Sequence, residues 1–280
     1  MLNLSDCTWK QIAELDKARS ILFITMAPIE EHSLHLPLGT DVYEGEYWIA
    51  EAEGIINQKN PEAVCCKLPA YPIAAAGVRG FYGCIHFKPK TVYKVAVELL
   101  ENIVQMGFQN IIIVASHGDP IHLIATEKAC KRINSKYKIC AISPMGAFFS
   151  AKELGIDLGL PDEIKEMERC AANDFHAGWI ETSCMLDINK ASVSESYKTM
   201  PPIEIHEKDM MFSGKQLRAM GEYGHLGYPA LGDEKIGRML NCNTAQYLAT
   251  VASKLIKGED CSGYMFHSLY KIPFMHTPFL

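Results

Sequence analysis

The chain has 280 residues, 48% of them hydrophobic and 21% charged, with a formal net charge of −6. This composition excludes a disordered, collagen-like or disulfide-stapled chain, and it leaves no basic excess to neutralise a nucleic acid backbone. No segment is apolar for long enough to span a bilayer, and residues 1–20 lack the apolar centre of a signal peptide, so a cytoplasmic protein without a membrane or nucleic acid partner is expected. The ten cysteines contain no CxxC pair, which suits free thiols in a reducing compartment better than a structural zinc site.

No stretch reads as a linker, and one domain over residues 1–280 is expected. Short runs of Ile and Val alternate with longer amphipathic segments, the pattern of a parallel sheet buried under crossover helices. In chain order the pattern predicts a strand over 21–26, a helix over 43–58, a strand over 68–74 and a helix over 91–106. A strand over 110–116, a helix over 121–134 and a strand over 138–143 follow. Further on, 174–186 and 244–257 read as helices, the latter stopped by Gly258, and 194–232 reads as irregular loop. Ligands of open α/β sheets bind beyond the carboxyl ends of the strands, so chemistry is expected just after residues 26 and 116.

Both places are rich in metal-ligating side chains. After the first strand stand Glu30, Glu31, His32, His35 and Asp41, and in an extended segment Glu30 and His32 point the same way. Asp41 reads either as a helix cap or as a carboxylate that bridges two ions. After the strand over 110–116 come His117, Gly118 and Asp119, where the glycine lets the backbone pass close to an ion and Asp119 also reads as a helix cap. A third group places His176 and Glu181 five residues apart, with Ala177 and Gly178 leaving room beside them. Oxygen and imidazole donors without cysteine suit Zn, Mn or Fe at a hydrolytic site.

In combination these segments resemble the creatininase (creatinine amidohydrolase) family. Its first signature, Glu-Gln-His-Gly-Pro-His-Leu-Pro-Leu-x-x-Asp, is matched by Glu30, His32, His35, Leu36, Pro37, Leu38 and Asp41. A second, Asn-x-His-Gly-Gly-Asn, is met only by His117 and Gly118, whereas the third, His-Ala-Gly-x-x-Glu-Thr-Ser, is matched throughout 176–183. The stretch from Gly227 to Gly237 is similar to the family's Gly-Asp-Pro and Glu-Lys-Gly region. The resemblance implies a three-layer α/β/α sandwich with a mostly parallel central sheet and a site for two divalent ions. By position Glu30 and His117 hold one ion, His32 the other, and Asp41 bridges them. The last ligand is Asp119 or Glu181, with Glu181 preferred.

Two divalent ions can hold a bridging water as hydroxide and polarise the carbonyl it attacks, so hydrolysis of a C–N bond in a small linear or cyclic amide is expected. His176 is the first candidate to protonate the leaving nitrogen, and whichever of Asp119 and Glu181 is not a ligand can relay the proton. His35 is expected to orient a ligand, and His86 and Gly118 to line the substrate's place. Ala171, Ala172 and Asn173 occupy the stretch where creatininase closes tryptophans over its substrate, which disfavours creatinine itself. The same site also fits opening of a lactone or of a C–C bond in an oxidised carbohydrate, and a metal-binding protein without turnover is a third reading. The family forms homohexamers or other rings, so the resemblance implies a homo-oligomer.

Overall fold

Strands that are apolar on both faces need a helical layer on each side. The computed structural model describes residues 1–76, 80–209 and 212–271, and among them five strands form one parallel sheet. The strands are β1 (Leu2–Asn3), β2 (Ser20–Thr25), β3 (Val64–Lys67), β4 (Asn110–Val114) and β5 (Cys140–Ile142), in the order β1-β3-β2-β4-β5. The two central strands are the most apolar, and Ile21, Leu22, Phe23 and Ile24 of β2 lie beside Ile111, Ile112 and Ile113 of β4, all fully buried.

After a short α1 (Trp9–Glu14), three crossover helices join these strands: α2 (Thr40–Lys59), α3 (Pro89–Gln105) and α4 (Pro120–Tyr137). Right-handed crossovers place α2 on one face of the sheet and α3 and α4 on the other. The order reverses between β2 and β4, which opens a crevice at their carboxyl ends. Beyond β5 come α5 (Met145–Phe149), α6 (Ala151–Leu154), α7 (Asp162–Cys170), α8 (Trp179–Asn189), α9 (Ser213–Met220) and α10 (Glu234–Ile256). Helices α8 and α10 pack against α2 and complete its layer, so the expected three-layer α/β/α sandwich is what the chain forms.

Several boundaries differ from the sequence expectation. The strand expected over 68–74 lies at Val64–Lys67, because Pro69 and Pro72 cannot donate to a ladder; only Leu68 and Tyr71 of that stretch donate onward to β2. The helix expected from residue 174 begins at Trp179, and the one expected from 244 begins at Glu234 behind the N-cap Asp233. The segment expected as irregular loop contains α9, while residues 210–211 of it lie outside the described residues.

Candidate metal centre

The segment leaving β2 closes on itself, the Glu30 amide donating to the Leu38 carbonyl at 3.0 Å. His32 Nδ1 stands 3.1 Å from the Glu30 carbonyl oxygen, and since a carbonyl only accepts, Nδ1 carries the hydrogen. The lone pair of His32 Nε2 is thereby left to face Asp41 Oδ2 at 3.4 Å and Glu181 Oε2 at 3.8 Å.

Asp41 lies in the first turn of α2, but the cap position is Gly39 and no side chain caps this helix. Its carboxylate turns instead into the crevice, and Ser116 Oγ donates to the Asp41 carbonyl at 2.6 Å, tying the start of α2 to the end of β4. One residue on, His117 Nδ1 lies 3.2 Å from Glu30 Oε1 and 3.6 Å from Asp41 Oδ1. Two sets of donors thus share Asp41: Glu30, Asp41 and His117, and His32, Asp41 and Glu181, each with its ligand atoms within 4.8 Å of one another. Glu30, His32 and His176 form a third set of the same compactness.

The donor chemistry fits divalent cations. Both oxygens of Glu30, Asp41 Oδ2 and His32 Nε2 are buried without a hydrogen-bond partner among the described residues. Buried acceptors that face one another without a hydrogen between them are costly unless a cation satisfies them.

Comparison with known proteins adds the lineage. A family model described as Creatininase, creatinine amidohydrolase, matches residues 5–252. The chain belongs to the creatininase family. No curated protein matches the sequence. A Bacteroides fragilis protein named as a creatinine amidohydrolase is 19% identical with a TM-score of 0.67, over 93% of this chain and 98% of that one. A mutant creatininase complexed with creatine is 14% identical with a TM-score of 0.67, over 91% and 98%. A mutant creatininase of Zn-Zn type is 16% identical with a TM-score of 0.65, over 89% and 95%.

In this creatininase-family chain the third signature is a turn built around Asp174. Oδ1 of Asp174 accepts the amides of Trp179 and Tyr228, and Oδ2 accepts that of Ile180, each at 3.0 Å. A Cβ at Gly178 or Gly227 would lie 1.8 or 2.0 Å from Asp174 Oδ1, so both glycines make room for that carboxylate. The turn passes through Ala177 at φ +47° and delivers Glu181 into the first turn of α8, where Oε2 accepts the Ala177 amide at 2.5 Å. His176 is clamped by two backbone hydrogen bonds with Leu226, and its ring lies 4.7 Å from that of His32.

The other expected site residues are placed differently. Asp119 is the N-cap of α4, accepting the Ile121 amide at 2.8 Å, and belongs to none of the donor sets. His35 Nε2 meets Thr182 Oγ1 at 2.7 Å, next to Glu181 rather than on a ligand itself. Gly118 is exposed in the turn before α4, and His86 is half-buried shortly before α3. Two residues were given no role by sequence reasoning. Asp174 joins the nearby Trp179 and Ile180 amides to that of Tyr228, 54 residues away, and Glu31, which stands where the family signature has Gln, pairs with His176 at 3.2 Å.

The enclosed carboxylates set the potential. Burial alone would lower His117, but Glu30 and Asp41 outweigh it and hold its pKa up at about 10. His176 is likewise held at about 10 against burial, by its hydrogen bond to Glu31 and the charges of Glu181 and Glu30. Burial raises Asp41, yet His32 and His117 keep its carboxyl below the usual range. Burial pushes His35 down to about 3 and His122, which donates to the Met26 carbonyl, down to about 4. Burial raises Glu44, one turn beyond Asp41, well above the ordinary carboxylate range, with Glu181 and Asp41 adding to the effect.

Proposed function

We propose that this protein hydrolyses a C–N bond of a small linear or cyclic amide other than creatinine, using two divalent cations such as Zn or Mn. The observation that carries this reading is the sharing of Asp41 between two donor sets, each completed by one carboxylate and one imidazole. Glu30 and His117 would hold one ion, His32 and Glu181 the other, with Asp41 between them. When bound, such a pair acidifies a water and polarises the substrate carbonyl.

The chain's own groups do the rest. Glu30, His32 and Asp41 are at most 1% exposed, so charge developing on the substrate is stabilised in a site that excludes bulk water. Hydrogen bonding of His32 Nδ1 to the Glu30 carbonyl presents Nε2 as the unprotonated atom. His176, within 4.0 Å of Glu30 through Nδ1, is placed to give a proton to the departing nitrogen. Asp119 caps a helix and has no part in the chemistry.

Metal analysis combined with a substrate panel tests the reading. Two ions per chain after reconstitution, and turnover on amides that a chelator abolishes, are expected. Turnover on lactones or oxidised sugars alone would move the activity to another bond. Well under one ion per chain, or two ions with no turnover on any panel, would overturn the assignment as a hydrolase.

A further inference from the structure

A side-chain amide is costly inside a helical layer unless its hydrogen bonds are met, and Asn241, wholly buried on α10, meets them on two other helices. Its Oδ1 accepts the indole N–H of Trp48 on α2 at 2.8 Å. Its Nδ2 donates to the Cys184 carbonyl and to Asp187 Oδ2, both on α8, at 3.2 and 2.9 Å. The indole only donates, and the carbonyl and carboxylate on α8 only accept, so the amide fits one way round. Leu, with no polar atom, and Asp, whose carboxylate has no donor, cannot serve both helices.

Both helices are gripped close to their candidate ligands. Trp48 lies about two turns beyond Asp41 on α2, and Cys184 about one turn beyond Glu181 on α8. At the starts of these helices Asp41 Oδ2 and Glu181 Oε2 face His32 Nε2 at 3.4 and 3.8 Å. Helix α10 is seated on α8 without slack: a Cβ at Gly237 would lie 1.8 Å from the Ser183 carbonyl oxygen, and the Asp233 amide donates to Ser183 Oγ at 2.9 Å. Nearer the surface, Arg238 Nη1 donates to Tyr47 Oη at 3.1 Å and lies 3.6 Å from Asp187 Oδ1, so one polar network joins all three helices.

We propose that Asn241 is a positioning residue that fixes the register of α8 against α2, and so keeps Glu181 within reach of the ion it would share with His32 and Asp41. The inference rests on the two-ion part of the reading above. Apolar packing tolerates sliding of one helix along another, whereas a buried amide that must meet partners on both has a single register. An axial shift of α8 by the rise of one residue, about 1.5 Å, is enough to carry Glu181 out of its compact donor set. Glu30, Asp41 and His117 owe nothing to α8, so only one of the two ions should feel the change.

The test is stepwise zinc binding to the chelated full chain, read by competition with a chromophoric chelator. The step that Glu181→Gln abolishes identifies the ion concerned. Asn241→Asp keeps the shape of the side chain but sets an oxygen against the two acceptors on α8, and should weaken that step by about 10-fold while the other stays as in wild type. Trp48→Phe with Asn241→Leu removes both buried polar groups together, leaves no unpaired donor, and should show the same split. Ile103→Ala, on α3 in the opposite layer, should lower the melting temperature and leave both steps unchanged. Wild-type affinities in both Asn241 variants would overturn the proposal, as would equal weakening of the two steps. A wild type with a single ion would overturn the two-ion reading and this proposal together. The split in affinities without turnover on any amide would uphold this proposal and overturn only the hydrolytic reading.

Discussion

Replacing Asp174 separates the frame of the site from its chemistry, because this carboxylate supports His176 and Glu181 without belonging to any donor set. Asp174→Ala removes three hydrogen bonds to backbone amides, two of which cap α8. A hydrogen bond to a charged group is worth about 1.5–3 kcal/mol net, and burial of the charge places these at the low end, giving a cost of about 3–5 kcal/mol. For a chain of this size that is a fall in Tm of about 6–15 °C. Asp174→Asn keeps the two bonds on Oδ1 but turns an NH2 toward the Ile180 amide, so its cost should be about 1–2 kcal/mol.

The pH dependence supplies a second reading of the same pair. Burial raises Asp174 to about 6 against the pull of the Ile180, Tyr228 and Trp179 amides, with Glu181 adding to the rise. A folded pKa above the unfolded value means a stabilising contribution that is fully present below about 4 and lost as pH rises through about 6. The stability of wild type relative to Asp174→Asn should therefore decline over that window. Thermal melts followed by circular dichroism across pH, with metal content measured on the same samples, check both points. A Tm for Asp174→Ala within about 2 °C of wild type, or Asn as damaging as Ala, would refute the three-bond account.

Asp41→Ala should lower metal content at both positions and abolish turnover, with no loss of a helix cap because Gly39 holds that place; retention of one ion at full affinity in elemental analysis would contradict sharing. Glu181→Gln should release one ion, whereas Asp119→Ala should keep both and cost about 1 kcal/mol as a lost N-cap, which titration with zinc and a melting curve distinguish. Zinc binding to chelated protein near neutral pH should release protons, since His117 is held at about 10 and must lose its proton to ligate; calorimetry in buffers of different ionisation enthalpy would show no buffer dependence if this is wrong. The raised His117 and His176 also stabilise the chelated protein below about pH 6.5, and this contribution should be lost as pH rises through about 10 in denaturant titrations.

Much of the sheet was legible because β2 and β4 are buried on both faces and advertise it as unbroken Ile-rich runs. The two-residue β1 is too short to carry a period, and β3 is short, half-buried at both ends and followed by prolines, so the more apolar stretch after it drew the assignment. Helix α10 was read ten residues short because Gly237 and Asn241 interrupt its first turns, although both are buried against its neighbours. In the candidate site, Glu30, His32 and Asp41 announce themselves by local spacing. That Glu181 reaches His32 depends on how α8 docks against α2, which no local pattern encodes, whereas the cap formed by Asp119 was one of its two local readings. Glu31 and Asp174 are harder still: each looks like an ordinary acid until its distant partner, the His176 ring for one and the Tyr228 amide for the other, is in place.

The two donor sets differ in how firmly the fold holds them. Glu30, Asp41 and His117 all flank the central pair β2 and β4, whereas the other set depends on Glu181, carried by the Asp174 turn and the first turn of α8. Local opening needs less free energy at a helix end than across the middle of a sheet. If the two sets hold ions as proposed, the one at Glu181 would come and go while its neighbour stays, and their lifetimes would diverge. Exchange against an isotopically distinct metal would run in two phases, and the slower phase would report the stability of the sheet itself.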